Sequence, residues 1–155
     1  MKKELNWAVI GTGVIANEMA QALQKMDKKL YGVANRTQEK ALAFAEKYHV
    51  TKVYDKIDDV FSDENVDVIY LTTPHNTHYA FMEKALLHGK HLLVEKSITL
   101  NSLELGKAMA LAKGKNSQYK NSQYTDSPYE EEEDFTSQIS NNNKSLSERF
   151  FWIIS

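Results

Sequence analysis

The stretch Asn6-Trp7-Ala8-Val9-Ile10-Gly11-Thr12-Gly13-Val14-Ile15-Ala16 narrows the choice of folds more than any other part of the chain. An unbroken apolar run ends in a glycine, and a second glycine and a small residue follow at the spacing G-x-G-x-x-A. A run with no polar alternation suits a strand buried on both faces, as in a parallel sheet. The glycines permit a turn too tight for a Cβ and let backbone N–H groups approach an anion. The helix that begins there turns its positive end toward the same point. Ala16 stands where close helix–strand packing tolerates only a small side chain. An ordinary strand–turn–helix corner can carry the same small residues, but the strand before and the helix after match the setting of a dinucleotide site.

At 155 residues the chain is long enough for one domain with a real core. A net charge of −2 gives no sign of a nucleic-acid partner, and the absence of cysteine removes disulfides, thiolate metal sites and a cysteine nucleophile. Met1-Lys2-Lys3-Glu4-Leu5 leads into no apolar stretch of secretory-signal length. No apolar run reaches the roughly 18 residues of a membrane span. The expectation is a cytoplasmic protein with no membrane partner.

Strand and helix patterns then alternate. Ile15, Met19, Leu23 and Met26 recur at helical spacing, ending near Asp27-Lys28, and Leu30–Ala34 reads as a second buried strand. Thr37 is placed to cap a helix over 38–48 whose inner face carries Ala41, Ala45 and Tyr48. Val50–Tyr54 predicts a third strand, and Ile57, Val60 and Phe61 a short helix after it. Val66–Leu71 is a fourth strand, followed by a helix capped by Thr77 and stopped by Gly89. His91–Val94 is a fifth strand. Asn101 and Glu104 have capping-box spacing ahead of Leu105, Ala108, Met109 and Ala112. Five such alternations predict an α/β fold, a doubly wound parallel sheet with helices on both faces.

The pattern stops near Lys113. Residues 114–155 hold 4 basic and 7 acidic side chains, and 16 of these 42 residues are Asn, Gln or Ser. Lys-Asn-Ser-Gln-Tyr occurs twice in tandem, at 115–119 and 120–124, and Glu130–Glu133 precede Asp134. Such composition cannot bury enough apolar surface to offset its ordering entropy. The expectation is a domain at 1–113 and an irregular, mostly disordered tail at 114–155, with no legible sixth strand. Phe150–Ile154 is the exception, five apolar residues able to dock on an open sheet edge or to promote aggregation.

In a doubly wound sheet ligands sit outside the carboxyl ends of the strands. Four segments there can carry chemistry. The glycine turn is assigned to a pyrophosphate. Asn35-Arg36 occupies the place where an acid commonly accepts hydrogen bonds from the adenosine ribose of NAD. A guanidinium there suits a 2′-phosphate, favouring NADP over NAD; the plainer reading is a solvated arginine ahead of a helix. Thr72-Thr73-Pro74-His75-Asn76-Thr77-His78 follows the fourth strand, where proline forces an extended turn. His75 and His78 lack a third ligand, so no metal is expected, and His78 can equally be an ordinary first-turn helix residue. Glu95-Lys96 ends the fifth strand; a lysine there can orient a substrate hydroxyl or carbonyl and stabilise developing charge, or can simply pair with the glutamate.

In order and spacing these segments resemble the N-terminal half of the glucose–fructose oxidoreductase / inositol dehydrogenase family (Gfo/Idh/MocA), over about residues 5–113. The carrying motifs are Ala8–Ala16, Val33-Ala34-Asn35-Arg36 with Lys40-Ala41 and Phe44-Ala45, Thr73–His78, and Gly89–Lys96. The version here is most similar to the dihydrodiol-dehydrogenase-type branch. The resemblance implies a Rossmann domain holding NAD(P) and an oxidoreductase acting on the CH–OH groups of sugars, polyols or diols. It implies that Gly11, Thr12, Gly13, Val14 and Ile15 meet the cofactor phosphates and that Asn35 and Arg36 meet the adenosine ribose. Thr73, Pro74, His75 and His78 would lie along the nicotinamide half. Glu95 and Lys96 match a Glu-Lys-Pro motif whose lysine serves substrate binding and catalysis.

Two departures stand out. Ser97 replaces the motif's proline. Family members run to roughly twice this length, and their second half supplies the substrate pocket, the catalytic histidine and much of the oligomer interface. Nothing after residue 113 resembles that half, and the compositional break reads as a truncated or frameshifted frame. The expectation is therefore a cofactor domain inactive by itself, with a non-catalytic binding fragment as the alternative. A homo-oligomer or a separate second-half chain would cover the surface left open. A methyltransferase of similar sheet is disfavoured, because Trp7–Ile10 carries no acid before the turn.

Overall fold

The computed structural model describes residues 4–95, 99–114, 119–121 and 150–154. In chain order they form β1 (Trp7–Ile10), α1 (Val14–Lys25), β2 (Gly32–Ala34), α2 (Gln38–Tyr48), β3 (Lys52–Val53), α3 (Asp58–Ser62), β4 (Val68–Leu71), a 3-10 turn (His75–Thr77), α4 (His78–Leu87), β5 (His91–Glu95), α5 (Ser102–Gly114), β6 (Tyr119–Asn121) and β7 (Phe150–Ile154). The sheet order is β3-β2-β1-β4-β5-β7-β6. The first five strands are parallel, so the predicted doubly wound α/β sheet is present. The chain winds outward from β1 to β3, then returns to β4 on the other side of β1. This reversal opens a crevice at the carboxyl ends of β1 and β4.

Burial follows from the apolar runs. Every residue of β1 and β4 is buried, as strands covered on both faces require. Alternate side chains enter different layers: Trp7, Val9 and Tyr70 pack with α1 and α2. Ala8, Ile10 and Ile69 pack with α3, α4 and Ala108 of α5. The strands expected at 30–34, 50–54 and 66–71 are longer than the paired segments. Central β1 has only four residues, and its registers run from Ala8 opposite Gly32 and from Trp7 opposite Val68.

The helix boundaries match the local signals closely. Gly89 lies just beyond the end of α4 with φ +70, the left-handed geometry of a C′ glycine. At α5, Asn101 Oδ1 accepts the Glu104 N–H at 2.9 Å. The Glu104 carboxylate reaches back to the Leu100 N–H at 3.1 Å, one residue earlier than in the usual box. Thr37 and Thr77 occupy the predicted cap positions without side-chain cap bonds; a 3-10 turn precedes α4 instead.

The tail corrects one expectation. The place beside β5 is taken by β7, which runs antiparallel with Leu92 opposite Ile154 and Val94 opposite Trp152. β6 adds outside it, also antiparallel. β6 was not legible because it is a polar tripeptide, whereas Phe150–Ile154 takes the sheet-edge docking that its apolar run allowed, in an antiparallel pairing that only tertiary structure sets. The disorder expected for the rest of 114–155 falls outside the described residues.

The end of the sheet away from the crevice is tied by a polar cluster. Asp63 accepts hydrogen bonds from Tyr54 Oη at 2.8 Å and Lys52 Nζ at 2.6 Å, and from the Asn65 N–H at 2.9 Å. Buried Lys90 donates to the carbonyls of Asp63 (2.6 Å) and Val66 (2.8 Å). Burial alone would raise the Asp63 carboxyl, but these hydrogen bonds from Lys52, Asn65 and Tyr54 hold it well below the usual carboxylate range. Burial, reinforced by that carboxylate, pushes the Tyr54 hydroxyl well above the usual phenol range.

Candidate functional site

Strand register gathers the predicted segments along one edge. Ile10 pairs with Ala34 on one side and with Leu71 on the other, and Leu71 pairs with Val94. The next residue on each strand is therefore Asn35, Gly11, Thr72 and Glu95, a row in strand order. With about 4.8 Å between neighbouring strands, the row is about 14 Å long.

Gly11 is the close-approach point of this row. Its φ is +106, and its N–H donates to the Ala34 carbonyl at 2.9 Å. A Cβ there would run into the Thr72 hydroxyl and backbone. Thr72 is held in place by its own N–H and its hydroxyl, both 3.0 Å from the Ile10 carbonyl. Beyond Gly11 the turn rises to the surface. Thr12 is half-buried, Gly13 is exposed, and Val14 is 72% exposed at the first turn of α1. Ile15 turns its side chain toward the core, leaving its backbone to the turn.

At the end of β2, Asn35 is fixed by its Nδ2 donating to the Thr37 carbonyl at 3.0 Å. Arg36 is exposed and has no ion-pair partner among the described residues. After β4, the Thr77 hydroxyl bonds Thr73 Oγ1 at 2.7 Å and the Pro74 carbonyl at 2.6 Å. His78 is completely buried, with Nε2 2.8 Å from the Thr73 carbonyl. A carbonyl only accepts, so Nε2 carries the proton. Pro74 and His75 are exposed. The two histidines thus face different surroundings, and His78 braces the turn from inside. Glu95 ends the row, its Oε1 accepting from Tyr70 Oη at 3.2 Å. Lys96 lies outside the described residues.

Asn17 and Tyr70 were not singled out from sequence, and Tyr48 was read only as a core residue of its helix. Tyr70, a polar-tipped residue inside an apolar strand, carried a usable signal. Asn17 lies four residues beyond Gly13, on the same helix face, and so did too.

The pattern of the oxidoreductase family with an NAD-binding Rossmann fold, GFO_IDH_MocA, matches residues 5–122. The chain belongs to this family. Among curated relatives, the trans-1,2-dihydrobenzene-1,2-diol dehydrogenase of Xenopus laevis is 32% identical over 110 residues, 69% of this chain and 33% of that protein. Among solved structures, UDP-N-acetylglucosamine 3-dehydrogenase from Acidithiobacillus ferrooxidans superposes with a TM-score of 0.66 at 27% identity, covering 74% of this chain and 37% of that one. A 3-ketoreductase from Actinomadura kijaniata in complex with NADP gives 0.67 at 25% identity, covering 73% and 35%. The chain is an NAD-binding Rossmann domain of the oxidoreductase family. The match covers about a third of the length of the curated relatives. Among the described residues no helix is long and apolar enough to cross a membrane.

Proposed function

We propose that the row from Asn35 to Glu95 holds a nicotinamide dinucleotide, with NADP(H) preferred over NAD(H). The cradle fits the group. Gly11 leaves open the space a Cβ would take, and the exposed start of α1 offers N–H groups and positive dipole to a pyrophosphate. In this reading Gly11, Thr12, Gly13, Val14 and Ile15 contribute the phosphate turn, and Asn35 and Arg36 receive the adenosine ribose. Thr73, Pro74 and His75 border the nicotinamide half, with His78 shaping them from beneath. When bound, the cofactor supplies a hydride donor or acceptor. Glu95 and Lys96 would meet the substrate side, Lys96 orienting a hydroxyl or carbonyl through its charge.

The observation that carries the cofactor choice is Arg36, an exposed guanidinium with no ion-pair partner among the described residues, at a strand end that lacks an acid. Guanidinium pairs strongly with a phosphate dianion, and the NADP held by the Actinomadura kijaniata relative supports the same choice. The relatives that act on a diol and on a nucleotide sugar support a substrate with CH–OH groups: a diol, sugar or polyol. We assign cofactor binding to 1–113; within 114–155, β6 and β7 extend the same sheet beyond β5. Turnover then requires a substrate-binding part beyond the cofactor domain, because hydride transfer needs the substrate carbon positioned against the nicotinamide. A cytoplasmic setting fits the cysteine-free composition. Leu100 and Leu103, 55% and 67% exposed, support a homo-oligomer.

Calorimetry of the wild type and Arg36→Ala with NADPH and NADH tests this reading. Wild type is expected to bind NADPH more tightly. Arg36→Ala is expected to lose about 10- to 100-fold for NADPH, the worth of a charge-assisted hydrogen bond, and to stay within about twofold for NADH. Equal losses for both would remove the 2′-phosphate assignment. No binding of either by wild type would overturn the cofactor reading itself.

A further inference from the structure

Asn17 sits in the first turn of α1 with both of its amide N–H groups and its oxygen engaged. Its Nδ2 donates to the Gly13 carbonyl at 2.8 Å and to the Thr12 carbonyl at 3.1 Å. Both partners can only accept, so the amide nitrogen faces them and Oδ1 points the other way. There Oδ1 accepts the Tyr48 hydroxyl at 2.7 Å. Tyr48 closes α2, is buried, and lies against the Phe44 ring with centroids 4.8 Å apart. Gln21 Nε2 donates to the same hydroxyl at 3.4 Å.

The consequence lies in the peptide planes of the glycine turn. In a trans peptide the C=O and the N–H of the next residue point in opposite directions. Tying the Thr12 carbonyl toward Asn17 aims the Gly13 N–H away from it. The Gly13 carbonyl also accepts the Asn17 backbone N–H at 3.1 Å, the first hydrogen bond of α1, so the Val14 N–H is held by the helix as well as by the side chain. The Thr12 carbonyl, by contrast, is held by the Asn17 amide, and Gly13, which follows it, has no side chain and is exposed. Glycine also has the widest backbone freedom, so an external tether has most to do here.

We propose that Asn17, held in its rotamer by the Tyr48 hydroxyl, is a positioning residue that aims the Gly13 N–H, beside the Val14 N–H that the helix already holds, at the pyrophosphate of a bound dinucleotide. The inference rests on the cofactor reading above and adds the group that pre-sets its donors. The link to Tyr48 also joins the glycine turn to α2, the helix that follows the adenosine-side residues Asn35 and Arg36.

The test compares two ligands on the full chain: NADPH, which carries the pyrophosphate, and adenosine 2′-monophosphate, which does not. NADPH is titrated by its fluorescence and the nucleotide by displacing it. Asn17→Ala is expected to weaken NADPH about fivefold, the worth of the one neutral hydrogen bond that no backbone group replaces, while adenosine 2′-monophosphate changes by less than twofold. Tyr48→Phe keeps the buried ring, frees the Asn17 amide, and is expected to show a smaller loss confined to NADPH. It also serves as the reading if Asn17→Ala does not fold. Equal losses for the two ligands, or none, would reduce the contact to ordinary helix capping and overturn the proposal. If wild type binds adenosine 2′-monophosphate and NADPH but the variants match it, only the positioning role falls. If wild type binds neither, the cofactor reading falls and takes this inference with it.

Discussion

Gly11 meets two demands together, a positive φ of 106 and a Cα pressed against Thr72. Either would disfavour a side chain; together they make the position glycine-only. Gly11→Ala is expected to cost about 1–3 kcal/mol in urea unfolding, through left-handed strain and overpacking. Unchanged stability would mean that Thr72 moves aside freely. The residue was legible because its spacing to Gly13 and Ala16 is part of a motif. Asn17 was not, because a polar residue in the first turn of a helix is common and only its distances to Thr12, Gly13 and Tyr48 show what it holds. Buried His78 illustrates the converse: its position in the motif was visible, but not that it braces the Thr73 carbonyl from inside.

Among elements, the loop between α3 and β4 depends on a carboxylate. Asp63, whose side chain is 6% exposed, joins Lys52 of β3 and Tyr54 beyond it, while its carbonyl takes Lys90 from just before β5. Because the folded carboxyl lies below its ordinary range, its contribution is fully present above the unfolded value, about pH 4. It is lost as pH falls through that value toward the folded one. Asp63→Asn is therefore expected to lose about 1–3 kcal/mol at pH 7, and the gap to wild type should narrow at pH 3. Urea midpoints at the two pH values check this; an equal gap at both would remove the charge from the explanation. None of the cluster was foreseen, since Lys52, Asp63 and Lys90 are spread over three connections. The helices themselves were foreseen to within a residue or two, because caps, periodic apolar faces and Gly89 act within one or two turns.

At the scale of the molecule, the edge of β5 shows how the parallel sheet ends. Phe150–Ile154 cover it antiparallel, so the row of β1 to β5 is not left as an open template. A chain ending at Arg149 is expected to exchange the β5 amides faster while β1, between two partners, is unchanged. It should also associate more readily, which light scattering would detect. Protection of β5 unaltered by the truncation would show that the last strand contributes no cover.

Local pattern by itself determined the alternation of strands and helices, the parallel doubly wound class, and the tight glycine turn between β1 and α1. Those properties depend on side-chain period, backbone freedom and nearest-neighbour capping, all of which a linear sequence records. Tertiary structure alone decided that Asn35, Gly11, Thr72 and Glu95 stand in one row, since strand order and register are long-range. It also decided the closing of the β5 edge by β7, and the hydrogen bonds that tie Asn17 to Tyr48 and Asp63 to Lys52. Each of these pairs residues far apart in the chain, where geometry rather than local preference sets the partner.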